Sequence, residues 1–139
     1  MVKIYHKFVV KAPVARVYEA IAKVDGLNKW WTTGTSGSPE KGGELRFGFG
    51  GEGFVRMNVT GNEKNNLVSW TCIEGPEDWM GSNIDFKVSE DKGKTTVKFE
   101  HSGWKEANDF YGSCNFDWGR FMVSLKSLCE TGKGTPHVA

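Results

Sequence analysis

Three histidines, three cysteines and a handful of carboxylates are the side chains of this chain best suited to chemistry, and their spacing decides what each can do. None of His6, His101 and His137 has a second ligand-type residue at a spacing that would put both on one metal ion. A metal site is therefore not expected. His101 differs from the other two because strand alternation puts it on the face of Val97 and Phe99, just ahead of Ser102-Gly103-Trp104. Facing inward, it can hydrogen-bond a ligand or act as an acid or base. The plainer expectation is a histidine satisfied by a backbone or hydroxyl group near the end of its strand. His6, beside Ile4 and Phe8, can face inward on the same terms.

Asp85 alternates to the outer face of its strand, as Glu44 does if Leu45 faces in, so neither is a natural catalytic carboxylate. Asp109 and Asp117 lie near a C-terminal helical pattern, where the helix dipole alone favours acids. No acid pair can be assigned, and no Ser/His/Asp or Cys/His motif is present. Cys72, Cys114 and Cys129 are odd in number, widely spaced and without a C-x-x-C, which argues against a disulfide framework and a thiolate metal site. On an apolar helix face, Cys114 and Cys129 should carry raised, unreactive thiol pKa values. Gly48-Phe49-Gly50-Gly51-Glu52-Gly53 matches the dinucleotide pattern G-x-G-x-x-G, which works only with a strand before it and a helix after it. A strand-like run follows instead, so these glycines read as a tight, twisted hairpin, and no cofactor is expected.

What remains is aromatic: six Trp and nine Phe, more than packing a chain of this size requires. Such side chains can wall an apolar ligand pocket. Trp30, Trp31, Trp79 and Trp104 fall near element ends, where some can rim an opening, whereas Trp70 and Trp118 are expected inside.

The elements that must position these residues begin with a strand around Lys7–Lys11, followed by Ala12-Pro13. Pro13 suits the first position of a helix, where its missing N–H costs nothing. Val14, Val17, Tyr18 and Ile21 then form one apolar stripe, Asp25-Gly26 offers a stop, and a second short helix or turn carries Trp30-Trp31. Thr32–Gly42 is the longest unpatterned stretch and reads as a mobile loop.

From Gly43 to His101 there are five strand-like runs separated by turn residues: Gly43–Phe49, Phe54–Thr60, Leu67–Ile73, Ser82–Val88 and Thr95–His101. Alternation points Leu45, Phe47 and Phe49 inward, with Val55, Met57 and Val59, then Ile84, Phe86 and Val88, then Val97, Phe99 and His101. Leu67–Ile73 is ambiguous, because both of its faces carry apolar residues. Phe110, Cys114, Trp118, Phe121, Met122, Leu125, Leu128 and Cys129 recur at helical spacing, with Arg120, Ser124, Ser127 and Thr131 on the opposite side. Gly112 and Gly119 weaken the first turns, so this helix is expected to begin near Asn115 and to end at Gly132, ahead of a frayed tail.

The order of a strand, Ala12-Pro13, a first helix, Trp30-Trp31, a strand meander and a long C-terminal helix with Trp118 resembles the Bet v 1-like (START-related, SRPBCC) superfamily. Within it the chain looks most like proteins similar to the C-terminal domain of the Hsp90 ATPase activator. The resemblance covers nearly the whole chain and specifies fold better than chemistry. It implies an α+β helix-grip fold: a curved antiparallel sheet of six or seven strands around a long C-terminal helix, with one or two short helices after the first strand. It also implies an apolar pocket between sheet and helix, used for hydrophobic ligands and, in a minority of members, for catalysis.

A length of 139 residues suits one domain spanning 1–139. With 18 Lys+Arg against 17 Asp+Glu and no run of like charge, nucleic acid and anionic membrane surfaces are not expected partners. No apolar stretch approaches the roughly 20 residues of a membrane span, and no signal-peptide core opens the chain, so a cytoplasmic location is expected. The function expected is non-catalytic binding of a small hydrophobic molecule. Phe47, Phe49, Met57, Phe86, Phe99, Trp118, Phe121, Met122 and Leu125 form the candidate wall, and His101 is the polar contact. A cyclase- or hydrolase-like enzyme in the same cavity is the alternative, and would need inward polar groups with displaced pKa values beside His101. A homodimer remains open, and a chaperone-interaction module is suggested by the family name alone.

Overall fold

The computed structural model describes residues 2–139. Its elements run β1 (Val2–Val10), α1 (Val14–Ala22), α2 (Val24–Trp30), β2 (Gly34–Gly37), β3 (Glu44–Gly48), β4 (Phe54–Glu63), β5 (Leu67–Glu74), β6 (Asn83–Asp91), β7 (Lys94–Trp104) and α3 (Asp109–Thr131). Single 3-10 turns at Gly50–Glu52 and Glu77–Trp79 punctuate the meander. The strands form one seven-stranded antiparallel sheet in the order β1-β7-β6-β5-β4-β3-β2. Among the described strands only the β1–β7 pairing is non-sequential, and α1 and α2 carry the chain from one edge of the sheet to the other. With α3 packed against β1, α1 and α2, this is the helix-grip fold.

Period-2 patterning decides which face the sheet buries. Leu45 and Phe47 of β3, Met57 and Val59 of β4, Ile84 and Phe86 of β6, and Val97, Phe99 and His101 of β7 all point into the core. Val68, Trp70 and Cys72 resolve the ambiguous strand, for they too are buried. From α3 the core receives Cys114, Trp118, Met122, Leu125 and Cys129, a stripe of three- and four-residue steps. The backbone edge of β1 is covered by α3: Tyr111 Oη donates to the Lys3 carbonyl at 2.8 Å and Lys126 Nζ to the Val9 carbonyl at 2.7 Å. An edge strand covered in this way offers less to another sheet.

Several local expectations are corrected. The stretch Thr32–Gly42 contains β2, because Thr32, buried, donates its hydroxyl to the Gly48 carbonyl at 2.5 Å and fixes the segment beside β3. Helix α3 begins at Asp109 rather than near Asn115. Asn108 caps it by accepting the Tyr111 N–H at 2.9 Å, which offsets the two interior glycines. Pro13 is the N-cap of α1, not its first residue, and Asp25-Gly26 lies inside α2. The break falls at Lys23, whose extended backbone separates the two helices. Gly26 is where they touch: a Cβ there would stand 2.6 Å from Ala20 Cα.

The tail is held, not frayed. Thr32 and His137 form a β-bridge, the His137 N–H donates to the Trp31 carbonyl at 2.8 Å, and the Ala139 N–H donates to Thr33 Oγ1 at 2.8 Å. Ser124, expected on the polar side of α3, is buried and anchors the start of this strap. Its hydroxyl donates to the Trp30 carbonyl and accepts the Thr135 N–H, both at 2.8 Å.

Candidate functional site

Helix α3 does not meet the sheet along its whole length. Where its first half faces the β3–β4 turn and the segment Pro76–Trp79, a cleft of about 270 Å³ remains, open at the surface. The glycine-rich segment builds one wall. Gly50 (φ 62°) and Gly53 (φ 96°) take left-handed conformations around the 3-10 turn, and the Phe49 N–H bonds the Gly53 carbonyl at 2.8 Å. This tight reversal sets Phe49, Glu52 and Phe54 at the mouth, with Val55 behind them. Pro76 and Trp79 form the second wall. Helix α3 supplies the third through Phe110, Cys114, Asp117, Trp118 and Phe121, residues repeating every three or four positions on one face. Trp31 closes the floor.

The aromatic groups are packed on one another. Trp31 stacks on Trp70 with ring centroids 5.9 Å apart and lies 4.9 Å from Trp118, which in turn stacks on Trp79 at 6.0 Å. Phe49 is backed by the His137 ring of the tail at 5.4 Å, so the strap braces a wall of the cleft.

His101 lies behind this wall, fully buried. The Trp118 indole N–H donates to its Nδ1 at 3.1 Å, which leaves Nδ1 without a proton and places the proton on Nε2. Nε2–H then donates to Ser82 Oγ at 2.8 Å, and the Ser82 hydroxyl donates to the Trp79 carbonyl at 2.6 Å. Every member is satisfied, and burial holds the imidazole neutral by lowering its pKa to about 3. The network joins Trp118 to the segment carrying Trp79, so His101 is a positioning residue for two walls and lies outside the lining itself.

Of the ten sequence candidates, Phe49, Trp118 and Phe121 line the cleft. Phe47, Met57, Phe86 and Phe99 pack in the core beneath it, as do Met122 and Leu125 farther along α3. Alternation and helical period mark inward residues but not where the packing stops. The lining residues that sequence reasoning left out of the wall, Trp31, Phe54, Trp79 and Phe110 among them, sit at element ends, and an aromatic beside a turn was the one signal that pointed at some of them.

Cys114 is the thiol that borders the cleft. Burial pushes its pKa up, with a partial offset from the Trp79 indole N–H, which is buried without a conventional acceptor and lies against this weakly accepting sulfur. Burial also raises the Cys72 thiol, and raises Cys129 to about 11. None of the three is a ready nucleophile.

The family described as "Activator of Hsp90 ATPase homolog 1-like protein" matches residues 11–130. No curated protein matches the sequence significantly. Among solved structures, the Aha1 dimer from Colwellia psychrerythraea, determined in solution, is 39% identical, covers 96% of this chain and 100% of its own, and superposes with a TM-score of 0.87. The protein SSP2350 from Staphylococcus saprophyticus shares the fold at 18% identity, covering 99% of this chain and 98% of its own, with a TM-score of 0.81. DynU16, a protein in the dynemicin biosynthetic locus, shares it at 23% identity, covering 95% of this chain and 48% of its own, with a TM-score of 0.77.

Proposed function

The chain belongs to the activator of Hsp90 ATPase homolog 1-like family, and on that premise we propose that it binds a small, largely apolar molecule in the cleft beside α3 without transforming it. One observation carries this reading: seven aromatic side chains line a cleft of about 270 Å³, room for a ligand of one or two rings. His101, neutral and bonded through both nitrogens, and the Cys114 thiol, held up by burial, offer little to acid–base chemistry there, and the two carboxylates of the lining, Glu52 and Asp117, are exposed to solvent. The DynU16 likeness, at 23% identity, adds only that this fold occurs in a protein of the dynemicin biosynthetic locus.

Native mass spectrometry of protein purified gently from its own host tests the reading, with denaturing extraction to identify what is released. A stoichiometric adduct lost in Phe121→Ala supports it. Steady conversion of the extracted compound by the purified protein would replace it with the enzyme reading.

A second reading concerns assembly. A relative 39% identical over nearly the whole chain is described as a dimer, and α3 leaves Phe116 and Val123 exposed on its outer face. Self-association through that face is expected to appear as twice the monomer mass in light scattering, and to be lost in Phe116→Asp.

A further inference from the structure

The two charged side chains that line the cleft are both acidic. Glu52 on the β3–β4 turn and Asp117 on α3 stand across the mouth, and no Lys, Arg or His lines it among the described residues. Asp117 is paired with Arg120 at 3.0 Å, whereas Glu52 has no ion-pair partner among the described residues. Asp78, next in sequence to the lining residue Trp79, accepts from Asn108 Nδ2 at 3.4 Å. The potential reaches the interior: beyond burial and the opposing Trp79 contact, Asp117 and Asp78 both push the Cys114 thiol upward. Two arginines flank the mouth and occupy the faces of Phe54 and Phe121, so the charge of a bound cation falls to the carboxylates and its body to the tryptophans. Arg46 lies over Phe54 with its guanidinium carbon 4.1 Å from the centroid, and Arg120 over Phe121 at 5.6 Å.

Aromatic faces carry negative electrostatic potential, and a cleft that joins them to carboxylates favours an organic cation over a neutral molecule of the same shape. We propose that the ligand of this cleft is an amphipathic cation, an aromatic or alicyclic body bearing an ammonium group, with the body among Trp31, Trp79 and Trp118 and the charge at the mouth between Glu52 and Asp117. This inference rests on the ligand-binding reading above and specifies the class of molecule.

The test uses two probes of matched shape, benzyltrimethylammonium and its neutral isostere neopentylbenzene, with phenylacetate as the anion. Binding is read by the fluorescence of the cleft tryptophans and by chemical-shift changes at Cys114 and Phe121. The expected result is at least tenfold tighter binding of the cation than of the neutral probe, with the anion weakest. That ratio should fall severalfold in Glu52→Gln, which leaves the Asp117–Arg120 pair intact, and fall further in Glu52→Gln/Asp117→Asn, to what the aromatic faces alone provide. Equal affinity for cation and neutral probe, or a preference unchanged by the double substitution, overturns the proposal while leaving apolar binding in place. Absence of binding by all three probes overturns both.

Discussion

The Trp118 indole N–H donates to His101 Nδ1 at 3.1 Å, a hydrogen bond that ties the α3 wall of the cleft to strand β7 beside the packing of Trp118 on Phe99. Breaking it from the strand side leaves the indole N–H buried and unpartnered. His101→Leu should therefore cost about 1–3 kcal/mol, the range for an orphaned buried donor, and urea unfolding measures it. Ser82→Ala should cost a comparable amount, because it strips Nε2–H of its acceptor. The network's positioning role is read separately: in both variants the near-ultraviolet dichroism of the cleft tryptophans should change while the far-ultraviolet spectrum is kept.

The same histidine should set part of the acid response. Its folded pKa lies at about 3, depressed by burial from the ordinary value of 6.5, so at intermediate pH the unfolded chain takes up a proton that the folded chain refuses. Stability contributed by the neutral ring is complete above about pH 6.5 and is lost progressively as pH falls toward 3. Between about pH 8 and pH 5 this amounts to about 2 kcal/mol. Urea unfolding of wild type and His101→Leu at both pH values should show wild type losing that much more. Parallel losses would show that His101 takes up its proton without unfolding.

Much of the architecture was legible because it rests on local rules. Alternation placed His101, Phe99 and Val97 on one buried face, and helical period found the inward residues of α3 from Cys114 to Cys129. What escaped depended on contacts distant in sequence. Ser124 has a polar side chain and a polar context, yet it is buried because the Trp30 carbonyl, on another helix, needs a donor. Strand β2 carries almost no hydrophobic signal, since a buried threonine hydroxyl and the β3 backbone hold it in place. The cleft was the least legible feature: its boundary is set by where a turn and a helix diverge, a property of three elements together. Seven of the ten candidates consequently fall behind or beyond it.

Ser124 offers a test of the tail. Its hydroxyl serves the Trp30 carbonyl and the Thr135 N–H together, and the strap it begins backs Phe49 through His137. Ser124→Ala should cost about 1–2 kcal/mol and loosen the strap more than the sheet. Hydrogen exchange at the amides of Thr135, His137 and Ala139 should accelerate at least tenfold while β6 and β7 stay protected. Unchanged exchange at His137 would mean that the bridge to Thr32 holds the tail without Ser124.

Gly26 is a steric requirement of the helix pair. Its φ is not in the left-handed region, so the backbone itself would admit alanine, which ordinarily raises helix stability by about 1 kcal/mol. Yet an added Cβ would meet Ala20 Cα at 2.6 Å and the carbonyl oxygens of Ala20 and Glu19 at 2.7 Å, all backbone that cannot rotate aside. The Ala20 carbonyl also accepts the Trp30 indole N–H at 2.7 Å, so any shift of α2 away from α1 strains a buried hydrogen bond and moves the tryptophan pair. Gly26→Ala should consequently destabilise the protein by about 2–3 kcal/mol despite the better helix former, an overpacking cost. Thermal unfolding followed by tryptophan fluorescence checks it, and a melting temperature equal to or above that of the wild type would show that the α1–α2 contact yields.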